Sequence, residues 1–328
     1  MADIRTKYLG LELRNPVIVG SSGLTNSVDK IIEIEKLGAG AVVLKSLFEE
    51  QILMQVSKTV SQSDSLYAYP EAHDYISAYT EEKNVGDYLR LIRECKANVS
   101  IPIIASINCV SSAEWISFAG KMQEAGADAL ELNVFVLPSD PKRSGEQNEE
   151  VYFDIAQAII KEVSIPVSIK ISNYFSGFAK TALKLSWTGI KGMVLFNRFF
   201  SPDIDIDKFE VTASNVFSTP QEISNTLRWT AMLSDKLHCD ISASTGIHDG
   251  EGAVKLLLAG AKTVQIASTL YKNGTGVIPD MVKFIEEWMD KHGFQKTDDF
   301  IGKMNYKATE NPAAYERVQF MKHFAGIE

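Results

Sequence analysis

Cysteine is scarce in this chain: there are three among 328 residues, and Cys95, Cys109 and Cys239 lie far apart. An odd, scattered set excludes a disulfide framework and offers no pair at metal-ligand spacing. No metal site is therefore expected, and each thiol reads as a small buried side chain in a reducing, cytoplasmic setting. Long apolar runs are missing as well. No stretch of about 18 apolar residues occurs, and Met1-Ala2-Asp3-Ile4-Arg5 enters a folded-looking segment without the apolar core of a signal peptide. No membrane association is expected. Positive charge is the third deficit: Lys and Arg number 33 against 42 Asp and Glu, a formal charge of −9. Nucleic acid and anionic membrane surfaces both require a basic footprint, so neither is expected as a partner. An anionic small molecule would need locally gathered positive charge.

What is present is a recurring phrase: a helical pattern, then Gly with Ala or a second Gly, then a short apolar run. It occurs at 37–44, 125–130 and 259–266, with a looser copy at 188–196. Glycine suits a helix C-terminal cap with positive φ, and the apolar run suits a parallel strand buried on both faces. A second phrase, Val99-Ser100-Ile101-Pro102 and Val163-Ser164-Ile165-Pro166, leads into two more apolar runs. Proline at the first residue of a strand forfeits no ladder hydrogen bond. Together these signals predict strands at 16–20, 41–46, 102–106, 128–133, 166–171, 192–197, 240–244 and 262–267, separated by helical patterns such as 87–95 and 151–160. Eight strand–helix alternations without a linker or composition shift predict one domain over residues 1–328, a (β/α)₈ TIM barrel. A doubly wound open sheet is the competing arrangement. Three long loops, 47–82, 134–149 and 198–219, all follow strands and so fall on the C-terminal face, where barrels carry their sites.

Several strands end on a polar residue that a buried strand has no use for. Lys45 and Lys170 close the second and fifth. A lysine there is costly unless it faces an anion or a cavity; the alternative is a side chain snorkelling at the rim. Asn133 and Asn197 close the fourth and sixth, each offering a donor and an acceptor to a planar amide-rich ligand, or else tying neighbouring loops. Strands seven and eight run into Ser244-Thr245-Gly246-Ile247-His248 and Gln265-Ile266-Ala267-Ser268-Thr269, and loops after these two strands commonly form a phosphate site. His248 reads as a surface histidine at a helix start. Arg198 reads as the partner of Asp203 or Asp205, with a substrate carboxylate as the other possibility. The aromatics Tyr67, Tyr69, Tyr174, Phe175, Phe199 and Phe200 read as loop packing, with the wall of a pocket for a flat ring as the other possibility.

In order and spacing these residues resemble the class 1 dihydroorotate dehydrogenases, FMN enzymes built on this barrel. The match runs from Asn15-Pro16 and Ser21-Ser22-Gly23 through Leu44-Lys45-Ser46, Glu131-Leu132-Asn133, Ile169-Lys170 and Phe196-Asn197. It continues through Thr245-Gly246-Ile247 and Val264-Gln265-Ile266-Ala267-Ser268-Thr269 to Asp299-Phe300-Ile301-Gly302, and so covers essentially the whole chain. The resemblance implies that FMN is held by Ser22, Gly23, Lys45, Ser46, Asn133, Lys170, Asn197, Thr245, Gly246, Ala267 and Ser268. Lys45 and Ser46 would lie against the ring, Lys170 at its N1/C2 edge, and Gly246 and Ser268 at the phosphate. Lys45 and Lys170 would serve catalysis, while Asn133, Asn197 and Ser65 would bind a planar pyrimidine. A homodimer is plausible on the same ground.

The departures from that pattern bear on function. The family places a Cys or Ser base after strand four, whereas this chain reads Asn133-Val134-Phe135-Val136-Leu137-Pro138. The base position falls on Val136 or Leu137, both aliphatic. General-base catalysis typically contributes 10²–10⁴-fold, so a family-like reaction would lose about 3–5 kcal/mol of transition-state stabilisation. Ser139, Asp140 or Tyr67 are the candidates to replace it from the long loops. Where the family has an Asn before Gly-Leu-Pro, this chain has Ser65-Leu66-Tyr67-Ala68-Tyr69-Pro70. The expectation is an FMN-dependent oxidoreductase acting on dihydroorotate or a related ring. The alternatives are a flavin-binding protein of the same fold without that activity, or an ene-reductase with another substrate.

Overall fold

A computed structural model describes residues 2–48, 70–109, 113–198, 201–214 and 216–316. All eight expected strands form: β1 Val17–Val19, β2 Ala41–Val43, β3 Ile103–Cys109, β4 Ala129–Val134, β5 Val167–Ile171, β6 Gly192–Leu195, β7 Asp240–Ser244 and β8 Thr263–Ile266. Each pairs in parallel with the next, and β8 returns to β1, with Gln265 opposite Ile18, so the sheet closes on itself. The helices α1 Val28–Lys36, α2 Pro70–Asn98, α3 Ala113–Glu124, α4 Gly145–Glu162, α5 Phe178–Ser186, α6 Ile223–Leu233 and α7 Gly250–Ala259 connect successive strands. This is the (β/α)₈ barrel.

The two sequence phrases have physical counterparts. Gly38, Gly126, Gly189 and Gly260 all have φ between 100° and 112°, which the helix-ending phrase requires. The Val-Ser-Ile-Pro phrases are each held by one acceptor from the preceding helix layer. Glu35 on α1 accepts from Ser100 N, Ser100 Oγ and Ile101 N, and Gln123 on α3 accepts from Ser164 N, Ser164 Oγ and Ile165 N.

Two boundaries differ from expectation. Helix α2 spans Pro70–Asn98, so the last 13 residues of the loop expected at 47–82 are helical. Within 198–219 the chain forms an antiparallel hairpin, Ser201–Asp205 with Glu210–Ser214. Its alternating Asp203-Ile204-Asp205 is a strand pattern hidden by the length of the loop.

Strand parity sorts the barrel interior into layers. At the N-terminal end Ile18, Ala41, Val43, Ile104 and Ala129 pack against Tyr8, Leu9 and Leu13 of an N-terminal hairpin, Thr6–Tyr8 with Leu11–Leu13, which plugs the floor. Leu9 N donates to Asp240 Oδ2 at 2.9 Å, pinning the plug. One step up every second residue is polar: Ser106, Glu131, Ser168, Ser242, Thr263 and Gln265, all buried. The next step reaches the C-terminal mouth.

Candidate active site

The mouth gathers the strand-terminal amides and lysines. Register places Asn108 opposite Asn133 and Asn133 opposite Lys170, so β3, β4 and β5 present an unbroken row. Asn197, just past β6, donates from Nδ2 to Asn133 Oδ1 at 2.7 Å. That bond fixes both amides and leaves the Asn133 Nδ2 donors and the Asn197 Oδ1 acceptor without a protein partner among the described residues. Asn108 Oδ1 is buried and likewise unpartnered. Lys45 is half-buried; its N–H donates to Thr25 O, and no described residue bonds its ammonium. Buried polar groups without partners are rare. At the mouth Asn108 Oδ1 is such a group, and it lies beside the half-buried Asn133, Asn197 and Lys45, a set suited to a polar ligand.

Beneath the row lies a charged layer that sequence reasoning passed over. Lys170 Nζ donates to Gln265 Oε1 at 3.3 Å, and Gln265 Nε2 donates to Glu131 Oε2 at 2.6 Å. Glu131 Oε1 stands 3.9 Å from Lys170 Nζ, with side-chain exposures of 1% and 12%. Asn108 was missed too, because β3 runs three residues beyond its expected end. A usable signal was present in both cases: Glu131 and Asn108 sit two residues from Asn133 and Ser106, hence on the same face.

The other expected residues fall in three groups. Ser46 is buried in a hydroxyl chain, 3.0 Å from Ser21 Oγ and 2.8 Å from Ser106 Oγ. Ser22 caps the 3₁₀ turn Gly23–Thr25, accepting from Leu24 N, and Gly23 lies against the Tyr271 hydroxyl. Thr245, Gly246, Ala267 and Ser268 line a cavity of about 200 Å³ that also contains Ser21, Lys170, Asn197 and Gln265. Gly246 has φ +81°, and a Cβ there would run into the backbone of Ile223, so only glycine permits this turn. Ser65, Tyr67, Tyr69, Phe199 and Phe200 lie outside the described residues.

Two readings are corrected. His248 is buried rather than at the surface: its Nε2 is 3.0 Å from Ser218 Oγ, and burial together with nearby Lys272 pushes its pKa down. Ser218 also donates from N to Ser268 Oγ at 3.1 Å and accepts from Lys272 Nζ at 3.2 Å through its carbonyl. The segment before α6 is thereby tied to the cavity wall. Arg198 pairs with neither Asp203 nor Asp205. Its Nε donates to Glu222 Oε2 and its Nη1 to Val216 O, both at 2.9 Å. Burial raises the Glu222 pKa, but the bonds from Arg198 and Thr219 outweigh it and hold the carboxyl below its usual range. Arg198 thus stands between the first cavity and a second of about 400 Å³, which share Phe196, Asn197 and Thr245.

Residues 134–138, directly after β4, carry no titratable side chain. Val136 is half-buried and its N–H donates to Tyr152 Oη at 3.2 Å, while Leu137 is 50% exposed. Ser139 and Asp140 are exposed, and Asp140 Oδ1 is engaged by Lys142 N at 2.9 Å. Phe175 stacks on Phe178 with centroids 5.6 Å apart, as loop packing. Among the described residues no group of three or more His, Cys, Asp or Glu is placed to hold a metal ion, and no helix is long and apolar enough to cross a membrane.

Comparison with known proteins agrees with this architecture. Residues 71–289 match the family model described as dihydroorotate dehydrogenase. Among curated relatives, the catalytic subunit of dihydroorotate dehydrogenase B (NAD(+)) from Thermoplasma volcanium is 30% identical over 315 residues, covering 92% of this chain and 98% of the relative. Its counterpart in Thermoplasma acidophilum is 29% identical over 315 residues, covering 92% and 99%. The PreA subunit of NAD-dependent dihydropyrimidine dehydrogenase from Escherichia coli is 23% identical over 322 residues, covering 92% and 77%.

Proposed function

The chain belongs to the dihydroorotate dehydrogenase family, and from that premise we propose that it is an FMN-dependent oxidoreductase acting on a CH–CH bond of a small planar ring, with dihydroorotate as the default substrate. The observation that carries the reading is the adjacent row Asn108, Asn133 and Lys170, with Asn197 bonded to Asn133 and Asn108 Oδ1 left open. FMN, when bound, supplies the centre that exchanges hydride with the substrate. The chain's own residues fit that group. The Lys170 ammonium uses one donor on Gln265, leaving two for an electron-rich ring edge. The half-buried Lys45 adds a second positive charge to a molecule that is otherwise acidic. The Gly246 turn and the Ser268 segment offer backbone N–H groups to a phosphate. Asn133 and Asn197 are pre-oriented by their mutual bond, one presenting donors and the other an acceptor, the complement of a cyclic imide. We further propose a cytoplasmic location and a homodimer. In support of the latter, Ile204, Ile206, Phe209 and Val211 are exposed on or beside the hairpin after β6, and sedimentation of the purified protein tests it.

The loop 134–138 favours a second reading alongside the first. With Val136 or Leu137 at the family's base position, proton abstraction from dihydroorotate lacks its acceptor. The same pocket then serves flavin binding without dihydroorotate activity, or reduction of a different activated double bond. Anaerobic mixing of the FMN-loaded protein with dihydroorotate separates the two. Bleaching of the flavin supports the default substrate, and no bleaching across about pH 6–9 rejects it. In the latter case Val136→Cys or Leu137→Cys is expected to restore dihydroorotate-driven reduction by on the order of 10²-fold.

A further inference from the structure

The Glu131, Gln265 and Lys170 side chains form a buried chain whose geometry is directional. Gln265 is oriented by its two bonds: its amide nitrogen is committed to Glu131 at 2.6 Å, so its carbonyl oxygen must face Lys170, at 3.3 Å. The carboxylate is almost fully enclosed, while the ammonium keeps 12% exposure at the mouth. At 3.9 Å the two charges attract without a direct hydrogen bond, and the Gln265 amide bridges them. Direct pairing would draw the lysine down into the barrel. The bridge instead lets it project upward while its countercharge stays below.

We propose that Glu131 is a positioning residue which, through Gln265, holds Lys170 at the mouth and sets how strongly that ammonium favours an electron-rich ring above it. This rests on the FMN reading. A carboxylate under the lysine partly cancels its field, and charge close to the ring edge tunes the cofactor's electron affinity. The two residues therefore have opposite effects. Glu131→Gln keeps the shape and removes the negative charge, so Lys170 acts on the ring undiminished. Gln265→Met removes the bridge, so Lys170 relaxes toward Glu131 and its effect on the ring falls.

The test is the midpoint potential of bound FMN, measured anaerobically by dye equilibration, together with FMN affinity. It compares wild-type protein with E131Q and Q265M, each first checked by circular dichroism for native structure. E131Q is expected to raise the preference for reduced over oxidised FMN about tenfold, equal to about 30 mV for a two-electron couple. Q265M is expected to move the potential the other way. A purely structural role would lower affinity in both variants without opposite shifts in potential, and that result, or unchanged potentials, overturns the assignment. If the wild-type protein takes up no FMN, the functional reading and this inference both fall; if it binds FMN and the variant potentials coincide, only the role of Glu131 falls.

Discussion

At the scale of single residues, the site is governed by which charges are buried against one another. Among the described residues Lys170 and Glu131 are compensated by each other and by Gln265, and removing one member of a buried pair leaves the other uncompensated. Lys170→Met is therefore expected to destabilise the protein by about 3–5 kcal/mol in chemical denaturation. Lys170→Met combined with Glu131→Gln should recover most of that loss; equal stability of the single and double variants would contradict the pairing. His248 gives a pH test. Burial holds its folded pKa below the unfolded value, so the unfolded chain binds the proton more readily. The stability tied to the neutral ring is therefore present above about pH 6.5 and lost as pH falls toward the lower folded value. The melting temperature of the wild-type protein should fall more between pH 8 and pH 5.5 than that of His248→Gln, and parallel profiles would refute the assignment. Lys45, Lys170, Asn133 and Asn197 stand out in the sequence as site candidates because a polar residue interrupts an apolar run. Glu131 and Gln265 do not, since each sits inside its run, where only the alternation of faces reveals it.

At the scale of elements, the barrel's connections explain both what was readable and what was hidden. The helix-ending glycines and the strand-opening prolines are local chemistry, and each produced the expected boundary to within a few residues. The acceptors that anchor the Val-Ser-Ile-Pro phrases, Glu35 and Gln123, come from other elements and left no mark near the phrases themselves. Gln123 satisfies three donors at the entry to β5. Because these groups are partly open to water, Gln123→Leu is expected to cost about 1 kcal/mol in denaturant melts, with the fold retained; an unchanged midpoint would show that solvent replaces it fully. The hairpin after β6 is the opposite case, since Phe209 is 90% exposed and nothing in the barrel packs on it. Phe209→Ser should change the stability of the single chain by less than about 0.5 kcal/mol in dilute melts while weakening the self-association read by sedimentation.

At the scale of the whole molecule, an acidic chain collects positive charge and open amides at one end of a closed parallel sheet. The fold was legible because eight repeats of the same strand–helix signal outweigh any single ambiguous segment. The functional class was legible because the mouth residues arrive in a fixed order along the chain. Chemistry at the substrate was less so: residues 134–138 carry no titratable side chain, and the Ser139 and Asp140 that follow are exposed. The proposed binding of FMN underlies the functional reading. The most direct measurement is titration of the purified, flavin-free protein with FMN, followed by flavin fluorescence quenching and compared with the Lys45→Met variant. Saturable one-to-one binding by the wild-type protein, weakened in the variant, is the expected result; no quenching, or identical binding by both proteins, would contradict the account.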